Sequence, residues 1–201
     1  HLKKMIPKNY NIFSPKSQDW DLSNLNFDKS KINLINNCDK IFLFHSILSN
    51  KKHLLKNDHE IHKQLNINLL SKIKICEISL KYNPNARIII VGSESGLKGS
   101  YDIVYGLSKA SINKYVEERQ ILKKGQQLIC IAPSTIIDAN MTLKRKDKHN
   151  VRKSIKINPK KRGLFSKEVS KLIYDISFNN TDYLTNVVIN VNGGKFSRMW
   201  F

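Results

Sequence analysis

The chain has 201 residues, a length that suits one domain, and 40% of them are hydrophobic, enough for one core. Its 35 Lys and Arg stand against 16 Asp and Glu, a formal net charge of +19. No run of about 18 apolar residues occurs, which argues against a membrane span. Cys38, Cys76 and Cys130 are odd in number and free of CxxC spacing, so they point to neither a disulfide framework nor a metal site.

The three cysteines suit a reducing cytoplasm. The first residues, His1-Leu2-Lys3-Lys4-Met5, lack the apolar stretch of a signal peptide. A start at His rather than Met leads to the expectation that the natural N-terminus lies upstream. The positive charge could serve a nucleic-acid partner. Lys, Asn and Ile are abundant along the whole chain, however, and no reading helix or aromatic-interleaved strand is recognisable. The charge is therefore read mainly as solvated surface, with no nucleic-acid and no membrane partner expected.

In chain order, strands are expected at Tyr10–Phe13, Lys40–Phe44, Arg87–Val91, Gln127–Ala132 and Val187–Val191. Several are continuous apolar runs, the pattern of parallel strands covered by helices on both faces. Between them lie stretches of helical period. Ile61, Leu65, Leu69, Ile73, Cys76 and Leu80 form one stripe, ended by Asn83-Pro84-Asn85. A second helix is expected from Ile103 to Lys124, stopping at Gly125, and a third from Ser166. Alternation of this kind implies one doubly wound parallel α/β domain over residues 1–201. The stretch Lys144–Arg162 departs from it: ten Lys or Arg and one acid, Asp147, read as a mobile basic loop.

Chemistry concentrates after Arg87–Val91. The strand ends in Ser93-Glu94-Ser95-Gly96-Leu97, and a helix follows with Tyr105 and Lys109 four apart on one face. A free phenol has a pKa near ~10; a cation beside it favours the phenolate and readies it for proton transfer. Ser93 could donate a hydrogen bond to a substrate oxygen. Taken alone, Tyr-x-x-x-Lys is common by chance, as a helix with one buried Tyr and one solvated Lys.

The context resembles the active-site region of the short-chain dehydrogenase/reductase family, where a strand ends in Ser, a Gly-Leu turn follows, and Tyr-x-Ala-Ser-Lys opens the next helix. Ser93 stands three before Gly96, as in the family, although the spacing to Tyr105 is one residue short; Ser95 is the alternative. Ile67-Asn68-Leu69 is similar to the family's Val-Asn-Leu, which implies a proton relay through Asn68. Tyr183-Leu184-Thr185-Asn186-Val187-Val188-Ile189-Asn190-Val191-Asn192-Gly193-Gly194 is similar to the family's closing strand and turn.

The resemblance implies NAD(P)-dependent hydride exchange with a small carbonyl or secondary-alcohol substrate, with Tyr105, Lys109, Ser93 and Asn68 as catalytic residues. The expected cofactor contacts are Ser14, Lys16, Asp21, Leu22, His45, Tyr105, Lys109, Pro133, Ser134 and Ile136. Ser14 and Lys16, with no acid at the end of the expected second strand, lean toward NADP over NAD. It also implies a homodimer or homotetramer through the helix at Ile61–Leu80, with Ile67, Leu70 and Ile78 on a second buried side. The basic stretch would cover the substrate and draw an anionic one.

Three departures stand against this. The family's Thr-Gly-x-x-x-Gly-x-Gly, whose backbone N–H groups hold the pyrophosphate, does not occur in the 201 residues. Ser134 replaces a glycine, and Phe44-His45-Ser46-Ile47 stands where the family has Asn-Asn-Ala-Gly. The first strand and Gly-rich turn are thus expected to be missing, with His1–Met5 as the tail of the following helix. A non-catalytic binding or regulatory protein on the same fold stays open as the alternative.

Overall fold

The computed structural model describes residues 1–49, 58–179 and 181–197. The first elements are α1 (Leu2–Met5), α2 (Lys29–Asn36) and β1 (Lys40–Leu43). Next, α3 (Asp58–Leu65) runs through a π-helical segment (Asn66–Leu70) into α4 (Ser71–Tyr82). Then come β2 (Arg87–Val91), α5 (Ser95–Lys98), α6 (Ile103–Glu118) and β3 (Gln127–Pro133). The last are α7 (Asn140–Leu143), α8 (Lys148–Lys156), α9 (Ser166–Phe178) and β4 (Val187–Val191).

The strands form one parallel sheet in the order β1-β2-β3-β4. Its centre explains the continuous apolar runs. Ile88, Ile90, Leu128 and Cys130 face Ile75 and Leu80 of α4 and Ile112 and Val116 of α6. Ile89, Ile129 and Ile131 point the other way, onto Leu2 of α1 and Val169, Ile173 and Ile176 of α9. Successive residues of a strand alternate faces, so a sheet covered on both sides needs an apolar residue at every position. Each fully buried Ile contributes roughly 1.5–3 kcal/mol.

Three expectations change. Tyr10–Phe13 is not a strand. Among the described residues no strand lies beyond β1 for it to pair with, and the Tyr10 ring docks edge-on against Phe178, under the Lys40 ammonium. The helix expected to reach Lys124 ends at Glu118. There Asn186, in the left-handed region at φ 53°, donates to the Val116 and Arg119 carbonyls and closes the helix end. The basic stretch is not one irregular loop: it contains α8. Ser154 of that helix bonds Thr135 Oγ1 at 3.2 Å and Lys195 Nζ at 2.8 Å, tying α8 to the segments that follow β3 and β4.

Candidate active site

Parallel strands deliver their carboxyl ends to one edge of the sheet, and ligands in such folds bind there. Here a cavity of about 620 Å³ opens at that edge, lined by Ser46, Ser93, Tyr105, Lys109, Pro133, Ser134, Ile136 and Arg145 among others. Helix α6 aims Tyr105 and Lys109 into it. Asp102 caps that helix, its Oδ1 accepting from Tyr105 N at 2.9 Å, while its Oδ2 accepts from Ser49 N and Gln64 Nε2, each at 2.7 Å. Helix α5 lies hard against α6: a Cβ on Gly96 would stand 2.8 Å from the Lys109 carbonyl oxygen, so only glycine fits.

Lys109 is 1% exposed. Its ammonium donates to Ser46 Oγ at 2.7 Å and to the Val91 carbonyl at 3.1 Å, and stands 5.3 Å from the centre of the Tyr105 ring. Burial brings its pKa down to about 8. The Tyr105 phenol is raised above its ordinary value. Burial is the largest cause; a hydrogen bond from Ser93 and the charge of Arg145 oppose it, and Asp102 adds to it. The expected depression by Lys109 is therefore not found in this arrangement. That ammonium directs two of its N–H groups to Ser46 and Val91, and the cation that lowers the phenol pKa is Arg145.

Behind the cavity, the segment after β1 is fastened by side chains from the long helix. Lys72 Nζ donates to the Leu43 carbonyl at 3.0 Å, and Ser71 Oγ meets His45 Nε2 at 3.1 Å. Asn68 clamps Ile47 twice: its Oδ1 accepts from Ile47 N at 2.8 Å, and its Nδ2 donates to Ile47 O at 2.9 Å. Asn68 is fully buried at the middle of the π-helical segment. Such a segment carries one extra residue per turn and often marks a functional site; here it accompanies the turn of the Asn68 amide toward Ile47.

The expected site residues thus divide. Ser93, Tyr105, Lys109, Pro133, Ser134 and Ile136 share the cavity. Asn68 and His45 lie one layer behind it. Ser14 and Lys16 are exposed and do not line it. Asp21 spends Oδ1 on Ser23 N and Oγ, and Leu22 packs into the core beside α4. Sequence reasoning did not single out Ser46 or Lys72, and took Arg145 only as one of several cations of the basic stretch. Lys72 is fully buried, with its pKa well below the usual lysine value, chiefly by burial and then by the Lys109 charge.

No family model matches the chain, and no curated protein matches it. Solved structures do. A short-chain dehydrogenase family protein from Francisella tularensis superposes with a TM-score of 0.78 at 21% identity, over 98% of this chain and 93% of its own. A short-chain dehydrogenase/reductase described as a glucose/ribitol dehydrogenase, from Brucella melitensis, gives 0.77 at 20%, over 89% and 75%. The chain has the short-chain dehydrogenase/reductase fold. ElxO with NADP bound, at a TM-score of 0.74 and 21% identity, covers 90% of this chain with 77% of its own.

For a nicotinamide dinucleotide, this cavity fits one end. Lys109 has three N–H donors; two are used, and the third is uncommitted among the described residues, beside a hydroxyl, Ser46. Ribose hydroxyls suit that arrangement. The pyrophosphate end has no Gly-rich turn among the 201 residues to receive it. Among the described residues, no helix is long and apolar enough to cross a membrane.

Proposed function

We propose that this chain is an oxidoreductase that interconverts a carbonyl and a secondary alcohol, with NADP, or else NAD, as partner. The observation that carries this reading is the convergence of Tyr105, Ser93 and Lys109 in one cavity at the carboxyl edge of the sheet. Bound there, the dinucleotide would supply or accept the hydride. Ser93 donates a hydrogen bond to the substrate oxygen, and Tyr105 gives that oxygen its proton in reduction and takes it back in oxidation. The raised phenol pKa keeps Tyr105 protonated, the state a proton donor needs. Lys109 orients the ribose through its uncommitted N–H.

Asn68 enters as a positioning residue: it fixes Ile47 and so the Ser46 hydroxyl on which Lys109 closes. The water relay implied by the resemblance would have to pass this segment. The preference for NADP rests on Ser14 and Lys16 alone. The chain is further proposed to pair with a second copy through exposed Leu70, Ile103 and Leu107, on the adjoining π-helical segment and α6. Ile78 packs into its own core instead.

A binding module without turnover is the competing reading, favoured by Ser134 and by Phe44-His45-Ser46-Ile47 standing where the family has glycine-bearing segments. The test that separates them is Tyr105→Phe, which keeps the ring and removes the proton. NADPH-dependent reduction across a panel of ketones and aldehydes should fall by roughly 100-fold or more. Near-wild-type turnover by the variant would reject the assignment.

A further inference from the structure

The cavity lined by Lys109 also carries a guanidinium that the hydride-transfer reading does not use. Of the ten basic residues in Lys144–Arg162, Arg145 and Lys146 line the cavity, whereas Lys144, Lys160, Lys161 and Arg162 do not. The Arg145 side chain is 22% exposed. Asp147 grips it bidentately, with Oδ1 at 2.8 Å from Nε and Oδ2 at 2.5 Å from NH2, and Asn150 Nδ2 holds Oδ2 at 3.1 Å. The rigid fork of a guanidinium has its plane fixed by such a pair. Its third nitrogen, NH1, has no hydrogen-bond partner among the described residues. The charge stands within electrostatic reach of both Tyr105 and Tyr101.

The surrounding charges leave a cationic surplus. Glu94, on the cavity wall, is answered twice, by Lys98 at 2.6 Å and Lys195 at 3.0 Å. Asp147 answers Arg145 alone, and Lys146 has no ion-pair partner among the described residues. Asp102 is engaged with backbone N–H groups and Gln64. A half-buried guanidinium with a free edge, on a wall that exposed Lys146 also lines, is poorly matched to a neutral ligand. It suits an oxyanion, which would take charge-assisted hydrogen bonds from both.

We propose that the site selects carbonyl substrates that carry a carboxylate or phosphate, held by Arg145 NH1 and Lys146 while the carbonyl oxygen meets Tyr105 and Ser93. This rests on the oxidoreductase reading for the role of the carbonyl, but its charge selection can be measured without turnover. A site built to donate to a charged group discriminates strongly against the analogue that lacks it, because its donors are then left unpaired.

The test uses the full chain without dinucleotide and three probes: acetoacetate, 2-oxopropylphosphonate and the neutral acetoacetamide. Dissociation constants are read by ligand-observed NMR at low and high salt. At least one oxyanion probe should bind about tenfold or more tighter than the amide, the size expected of a hydrogen bond to a charged group. Salt should shrink that ratio, and the tighter of the two oxyanions identifies carboxylate or phosphate as the source. Arg145→Gln should bring the ratio to about one with the amide's affinity kept, and Arg145→Lys should restore part of it. Equal affinities in the wild type, or an intact ratio in Arg145→Gln, would overturn the proposal. So would loss of the amide together with the anions, since Arg145 would then hold the cavity's shape rather than a charge. Failure of the oxidoreductase reading looks different: charge selection persists while Tyr105-dependent NADPH turnover is absent.

Discussion

His45 feels the charges of two lysines, Lys72 and Lys109, and its ring meets Ser71. Burial first, then the charges of Lys72 and Lys109, lower its pKa to about 2. The unfolded histidine titrates near ~6.5. Between those values the unfolded chain holds the proton and the folded chain does not. The stabilising contribution of neutral His45 is therefore complete above about pH 6.5 and is lost as the pH falls toward 2. Urea midpoints measured from pH 7 to pH 4 should fall, and His45→Gln should flatten that limb. An identical slope in the variant would show that other groups carry the acid sensitivity. At this scale the sequence was legible where spacing carries meaning: Ser93, Tyr105 and Lys109 meet as their positions imply. Arg145 was not legible, because ten cations in one stretch look alike. What distinguishes it is a fork to Asp147 and the fold of the wall. Lys72 was hidden for the opposite reason: on a mixed helix a lysine reads as solvated, and only the Leu43 carbonyl shows where its amine ends.

Among the elements, the long helix from Asp58 to Tyr82 is the informative one. Its apolar stripe was visible, while the π-helical segment at Asn66–Leu70 was not, since backbone spacing leaves no mark in a 3.6-residue pattern. Asn68 lies within that segment, and its amide supplies both hydrogen bonds to Ile47. Asn68→Ala removes them and should lower stability by roughly 1–3 kcal/mol. Chemical denaturation checks this, and a change below about 0.5 kcal/mol, the level of an ordinary surface substitution, would mean that the segment after β1 is held by Lys72 and Ser71 alone. Helix α8 shows a related limit. Its basic run reads as a loop because like charges repel, but Ser154 anchors it through Thr135 and Lys195. Tyr10–Phe13 shows that an apolar run becomes a strand only beside a partner strand; its ring finds Phe178 instead.

For the whole molecule, the parallel sheet was legible from the unbroken Arg87–Val91 and Gln127–Ala132 runs, since only burial on both faces calls for them. The proposed pairing of two copies is tested by Leu70→Glu with Leu107→Glu. Sedimentation should show a dimer or tetramer for the wild type and a monomer for the double variant. A wild-type monomer at micromolar concentration, or an unchanged assembly in the variant, would contradict it. The central claim is that the Tyr105 cavity hosts hydride exchange with a carbonyl. Its most direct measurement follows the label from NADPH carrying two deuterons at C4 of the nicotinamide, with NADH run alongside, during reduction of an oxo acid and its neutral amide. The account predicts deuterium on the carbinol carbon of the product, at a rate that collapses in Tyr105→Phe. A product without deuterium, or none formed while the dinucleotide and carbonyl both bind, would contradict it.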